Sequence, residues 1–410
     1  MTQDVVVIGG GPGGVATALT LAKANVPCTL VEKASFPRDK ICGDAISGKV
    51  VATLNRIDPA IMDEFGGFPA QVGSWGVSFI APNRKALRVP FQREYDAATD
   101  TPPGFISKRT DFDHFLWQRA KAHPLIATRE EHEVTHLLRH GEHWIIRGKE
   151  QPDLSARLVI IANGAQSTFS RTIGGLEKDN RHYCAGIRTY WSGVKDMEAD
   201  NFIELHFVKD FLPGYLWIFP LPNGQANVGV GMRSDYISKK KVNLKQELMR
   251  ILREDAAFKD CFANATLDDD PKGFGLPLGS TQRPISGDGF MLIGDAASLI
   301  DPFTGEGIGN AIISGKVAAE VAVKALEKQN FTHNALQMYD KEVYRKLGRE
   351  LQLSYRLQQL VNYPWLFNLV VNKANRNETL QETISCMFED LDMRQRLKQP
   401  GFYWKLLFGG

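Results

Sequence analysis

Cysteine is scarce in this 410-residue chain, and the five present (Cys28, Cys42, Cys184, Cys261 and Cys386) are scattered without a CxxC pair. That pattern excludes a disulfide framework and a cysteine zinc site, and it fits a reducing cytoplasm. An excess of one charge is also missing. Forty-nine Lys and Arg stand against 47 Asp and Glu, for a net charge of +2, which argues against nucleic acid as the partner. No apolar run approaches the roughly 18 residues that cross a bilayer. The first strand starts about three residues from Met1, leaving no room for a secretory signal. Repeats and low-complexity segments are absent too. What remains is a globular, cytoplasmic chain long enough for two domains, or for one domain carrying an inserted lobe.

What is present begins at once. DVVVIGGGPGGVATALTLAKANVPCTLVEK reads as strand, tight turn, helix, strand, and Asp4 to Ile8 is continuously apolar, as in a strand buried on both faces. Gly9, Gly11 and Gly14 form GxGxxG, with Pro12 and Gly13 between them. Gly9 permits the turn, Gly11 lets backbone approach a pyrophosphate, and Gly14 lets helix pack on strand. The helix N-terminus offers free N–H groups and a positive dipole end to phosphates. Glu32 lies 18 residues beyond Gly14, placed to accept from ribose hydroxyls. A dinucleotide site follows, but the loop alone does not choose between NAD and FAD.

A second element makes that choice. Gly294-Asp295 ends the strand MLIGD and leads through Pro302, Gly305 and Gly307 into a helix at Ile308. A carboxylate there can accept from a ribitol hydroxyl. N–H groups at Gly307 and Ile308 can face the isoalloxazine O2 side, where reduction gathers negative charge. The plainer reading of Asp295, a helix N-cap, leaves its pairing with the first loop unexplained. FAD is the expected cofactor, and no metal is expected.

Between these elements the pattern changes. FIELHFV, GYLWIFPLPNG and QANVGVGM read as antiparallel strands, with Asn223-Gly224 as a hairpin turn. The expected fold is α/β: a Rossmann-type FAD-binding domain (1–70, 101–180 and 278–330) with an inserted antiparallel β-sheet substrate domain (71–100 and 181–277). A C-terminal helical region (331–410) completes it.

Over roughly residues 3 to 330 the chain resembles the FAD-dependent oxidoreductases with a para-hydroxybenzoate hydroxylase-like fold. Within them it resembles the geranylgeranyl reductase family. The carriers are GGGPGG with Glu32-Lys33, FPRDKICGD, KRTDFDHFL, GYLWIFP and GDAASLIDPFTGEGIGNAIISG. The resemblance implies that Cys42 and Gly43 lie near the flavin, that Arg109 contacts FAD with Asp113 ordering its helix, and that Val134 lies against the adenine. A surface salt bridge is the plainer role for Arg109. One element departs from the family pattern: Asn163-Gly164 stands where relatives carry Asp-Gly, and the following Arg is displaced to Arg171. Direct use of NADPH is thereby put in doubt.

Tyr215, Trp217 and Phe219 alternate along one strand and therefore share a face, either a cavity wall or sheet core. With Cys42, which has Arg38 and Lys40 nearby in sequence, they are the candidate reaction-site residues. The resemblance implies hydride transfer from reduced FAD to a carbon–carbon double bond of a prenyl-type chain, with transient NADPH or a ferredoxin-type donor supplying electrons. An aromatic monooxygenase or halogenase is the alternative, although halogenases carry Gly-Glu-Ser where this chain reads Cys42-Gly43-Asp44. A non-catalytic flavin module is the third reading. The expected partner is an apolar small molecule or prenyl lipid. The aromatic Gly401–Gly410 segment could dock on the domain, close the cavity or touch a membrane surface. Oligomeric state is not legible.

Overall fold

The computed structural model describes residues 3–92 and 94–377. Gly401–Gly410, with its three expected roles, and Cys386 lie outside the described residues. Among the described residues no helix is long and apolar enough to cross a membrane.

The opening run forms the strand Gln3–Ile8, at the centre of an eight-stranded sheet. It pairs in parallel with Cys28–Val31 on one side and Leu154–Ile161 on the other, and Ile126–Arg129 and Phe290–Leu292 extend the sheet outward. The order reverses between Gln3–Ile8 and Leu154–Ile161, so the crevice for a ligand opens beyond their carboxyl ends. The hairpin of Val134–His140 and His143–Gly148 joins Leu154–Ile161 antiparallel. Val5 to Val7, Leu158 to Ile161 and Met291 are fully buried, which is why these strands read as unbroken apolar runs.

Helix Pro12–Lys23 starts on Pro12, whose missing N–H costs nothing there. It packs on helix Ile308–Glu327 at very short range. A Cβ on Gly315 would meet the Gly13 carbonyl oxygen at 2.4 Å. The glycine loop and the start of helix Ile308–Glu327 are held together at this crossing.

The second eight-stranded sheet runs Thr266–Leu267, Tyr183–Ser192, Gln225–Arg233, Tyr215–Leu221, Ile203–His206, Gly76–Ile80, Ala86–Pro90, with Lys272–Pro277 also on Tyr183–Ser192. Most pairs are antiparallel, but Ile203–His206 lies parallel to Gly76–Ile80. At Asn223-Gly224 both residues take positive φ, 61° and 69°, as the hairpin requires. Leu216 and Ile218 face helix Leu244–Glu254, while Trp217 and Phe219 face the opposite cluster with Phe303 and Phe367. Two helices, Gly48–Ile57 and Pro59–Gly66, fill a stretch that the sequence leaves irregular. Helix Pro364–Ala374 starts on Pro364, a first-turn position where proline is tolerated.

Candidate functional site

The glycine loop sits where the strand order reverses. Gly9 takes φ 111°, and a Cβ on Gly14 would lie 1.8 Å from the Gly9 oxygen, so neither position tolerates a side chain. Beyond Gly11, by contrast, only an Arg38 nitrogen among the described residues comes within 4 Å of a would-be Cβ, leaving backbone open to a phosphate. Glu32 is buried. Its carboxylate accepts from the Gly10 N–H at 2.8 Å and the Ala34 N–H at 3.2 Å, which fixes it beside the loop. Lys33 is exposed.

From Glu32 a chain of charges runs inward. Arg38 lies 3.6 Å from Glu32 and 3.0 Å from Asp113. Asp113 in turn accepts two bonds from Arg109, at 2.6 and 2.8 Å. Arg109 is 6% exposed, so its pair with Asp113 is not a surface salt bridge. Burial opposes the Arg109 charge, but Asp113 and the neighbouring Cys42 sulfur outweigh it and raise its pKa. The cation beside Cys42 is therefore Arg109. Arg38 and Lys40, the sequence neighbours, turn away to Asp113 and Asp295.

Asp295 occupies a turn, Gly294–Ala297, with Lys40 at 3.7 Å. Its Oδ1 is 3.2 Å from where a Gly307 Cβ would stand, so the carboxylate faces the start of helix Ile308–Glu327. Between them the loop at Pro302 and Gly305 is shaped by Asp301, whose Oδ1 accepts from the Phe303 N–H, the Thr304 N–H and the Thr304 hydroxyl. Asn163 Oδ1 is buried with no donor among the described residues, and the left-handed φ of 81° falls on Gly164. An open backbone at Gly11, an unpaired buried oxygen at Asn163 and a half-buried carboxylate at Asp295 fit an extended dinucleotide. Val134 stands half-buried at the head of its hairpin, against the core of the same sheet.

Of the three aromatic residues, Tyr215 lines a narrow apolar cleft with Cys184, Phe207, Leu276, Phe303 and Gly305. Its hydroxyl donates to the Thr304 carbonyl at 2.9 Å, tying the wall to the loop. Trp217 and Phe219 are 4% and 7% exposed. The Phe219 ring covers Gly43, where a Cβ would come within 2.7 Å of it. A second cleft is lined by Arg171, Lys178, Arg283, Glu177 and Asp179, with Tyr183, beside Asp295.

Sequence reasoning missed the polar group under Cys42. Asp44, at φ 70°, accepts from Tyr190 and Asn227, each at 2.7 Å, and from the Arg109 N–H at 3.2 Å. Burial still wins over these donors and pushes the Asp44 carboxyl up to about 6. Asn227 also donates to the Cys42 carbonyl and accepts from the Trp217 indole, both at 2.8 Å. A lone Asn inside the apolar strand QANVGVGM was the available signal.

The chain is similar to known proteins in sequence and in fold. The chain is 27% identical to digeranylgeranylglycerophospholipid reductase 2 of Methanopyrus kandleri, over 88% of this chain and 87% of that protein. It is 28% identical to the menaquinone reductase of Mycobacterium tuberculosis, over 88% and 85%. Among solved structures, a geranylgeranyl bacteriochlorophyll reductase-like protein of Thermoplasma acidophilum superposes with a TM-score of 0.80 at 26% identity, covering 92% of each chain. The flavin-dependent brominase Bmp2, at 20% identity and a TM-score of 0.76, shares the fold. The model of the FAD binding domain family matches residues 2–342, and the chain belongs to that family.

Proposed function

We propose that this protein reduces carbon–carbon double bonds in a prenyl-type chain, with bound FAD as the hydride source. The observation that carries the reading is the apolar cleft walled by Tyr215, Phe207 and Phe303, which opens directly onto the Pro302–Gly305 loop. The names of the relatives point to the same chemistry. In the reduced state FAD supplies a hydride; the chain's residues do the rest. The glycine loop and Glu32 hold the adenosine half, and Asp295 with Gly307 and Ile308 holds the flavin half. The apolar wall orients the hydrocarbon and excludes water, which matters because an isolated alkene is a poor hydride acceptor.

Saturation needs a proton at the second alkene carbon. We assign it to the Cys42 thiol, which sits beside the Arg109 guanidinium. Arg109 stands where the charge left on sulfur would fall, and water returns the proton after product leaves. Electrons arrive from a transient nicotinamide or a ferredoxin-type donor, since the chain has one glycine fingerprint and FAD uses it.

The test is anaerobic reduction of the flavin followed by stopped-flow mixing with geranylgeranyl lipids and prenyl quinones. Flavin reoxidation with a two-hydrogen mass gain in the chain is expected. Reoxidation only by oxygen, with hydroxylation or halogenation of an aromatic substrate, overturns the reading. Cys42→Ala should slow the prenyl-dependent step at least tenfold while FAD content stays at about one per chain.

A further inference from the structure

Behind the Pro302–Gly307 loop lies a buried ionic cluster that the proposed reaction does not use. Lys49 is 1% exposed and pairs with Glu350 and, at 3.5 Å, with Glu306; Asn310 Oδ1 is also 3.5 Å from its ammonium. Glu306 further accepts from the Ser47 hydroxyl at 2.5 Å. Asp301, 2% exposed, lies near Glu350 and Lys49. Burial and Glu350 push its carboxyl up to about 6. Two carboxyl groups thus contact the Lys49 ammonium, and a third, Asp301, lies within electrostatic reach.

Their position gives them a role. Glu306 precedes Gly307, the N-cap of helix Ile308–Glu327, and Asp301 holds the loop that leads to it. A bare helix N-terminus attracts the negative charge that reduction adds to a flavin. Acids placed behind it work against that attraction. We propose that the carboxylates of Asp301, Glu306 and Glu350 lower the midpoint potential of the bound flavin and so make it a stronger hydride donor. This rests on the reading above, in which the flavin ring faces Gly307 and Ile308. It also matches the demand of that reading, because an unactivated alkene needs a strong donor.

The experiment is an anaerobic dye-equilibration titration of the FAD-loaded protein, with no prenyl substrate present. Glu350→Gln and Asp301→Asn keep shape and hydrogen-bonding capacity while removing a charge. Each should raise the ratio of reduced to oxidised flavin about tenfold at the wild-type midpoint, a shift of about 30 mV for a two-electron couple. Lys49→Gln should shift the ratio in the opposite direction. If Lys49→Gln does not fold, the two acid variants decide the matter. An unchanged midpoint in folded, FAD-replete Glu350→Gln and Asp301→Asn overturns the proposal, as does a shift of the same sign in all three variants. Because the readout involves no substrate, such a failure leaves the proposed reaction intact. Conversely, absence of prenyl reduction by the wild type strikes that reaction without touching the midpoint result.

Discussion

Asp44 and Asp301 are two buried carboxyls that hold their protons up to about pH 6, against an ordinary value near 3.8. The unfolded chain releases those protons first. As pH rises from about 4 to 6 the folded state binds more protons than the unfolded state, so stability falls over that window and levels off above it. A shift of about two units corresponds to at most roughly 3 kcal/mol per group. Asp39, Asp235 and Asp255, whose burial is outweighed by cation partners that hold them low, oppose this trend, so the check is the difference between proteins. In urea unfolding from pH 4 to 7, Asp44→Asn should lose less stability with rising pH than the wild type; identical slopes would mean that Asp44 titrates normally in the fold. Trp217 belongs to the same scale. Its buried ring spans the adjacent strand, where a Gly229 Cβ would meet it at 2.2 Å, and its indole holds Asn227. Trp217→Leu should therefore cost about 2–4 kcal/mol. It should also release Asn227 from one of its partners and disturb the Cys42 loop. Tyr215→Phe, which removes one bond to Thr304, should cost about 1 kcal/mol.

At the level of elements, strong periodicity was legible and tertiary rescue was not. The first strand, glycine loop and helix could be read because an unbroken apolar run, GxGxxG and a correctly spaced acid each have a physical reason to be there. Helix Ile308–Glu327 was equally plain. Strands Gly76–Ile80 and Ala86–Pro90 were visible only as short apolar runs, since their partner Ile203–His206 lies far along the chain and no local signal announces the pairing. The same limit hid Asp44, Tyr190 and Asn227, which come from three separate segments and gain meaning only when packed together. Charge was misjudged for a related reason: Arg38 and Lys40 are close to Cys42 in sequence, yet Arg109 is the cation that reaches it. The contact between helix Pro12–Lys23 and helix Ile308–Glu327 allows a direct check. Gly315→Ala places a methyl group against the Gly13 backbone, so a stability loss of about 1–3 kcal/mol and weaker FAD retention are expected. Unchanged melting temperature and flavin content would show that the crossing is looser than it looks.

On the scale of the whole molecule, the two sheets share the work. One carries the glycine loop at its strand ends, and the other presents an aromatic face across the Pro302–Gly305 loop. The sheets are bridged by Arg109 and Asn227, which converge on the Cys42–Asp44 segment from helix Arg109–Ala122 and strand Gln225–Arg233. Fold class and cofactor were therefore legible from the two ends of the chain, while the residues joining them were not.

The strand order also sets a timetable for synthesis. Gln3–Ile8 leaves the ribosome first, but Phe290–Leu292 and the helix that clamps the glycine loop come some three hundred residues later. Pairings so distant in sequence are slow to form. Until they form, the early strands have exposed edges and an unburied apolar face that invite chaperones or aggregation. Nascent chains stalled near residue 280 should thus be protease-sensitive and carry no flavin. Chains released beyond Leu360, which add helix His333–Leu360 with its buried Leu336, Tyr339 and Val343, should acquire both protection and colour in a single step, making FAD a late arrival that seals the fold.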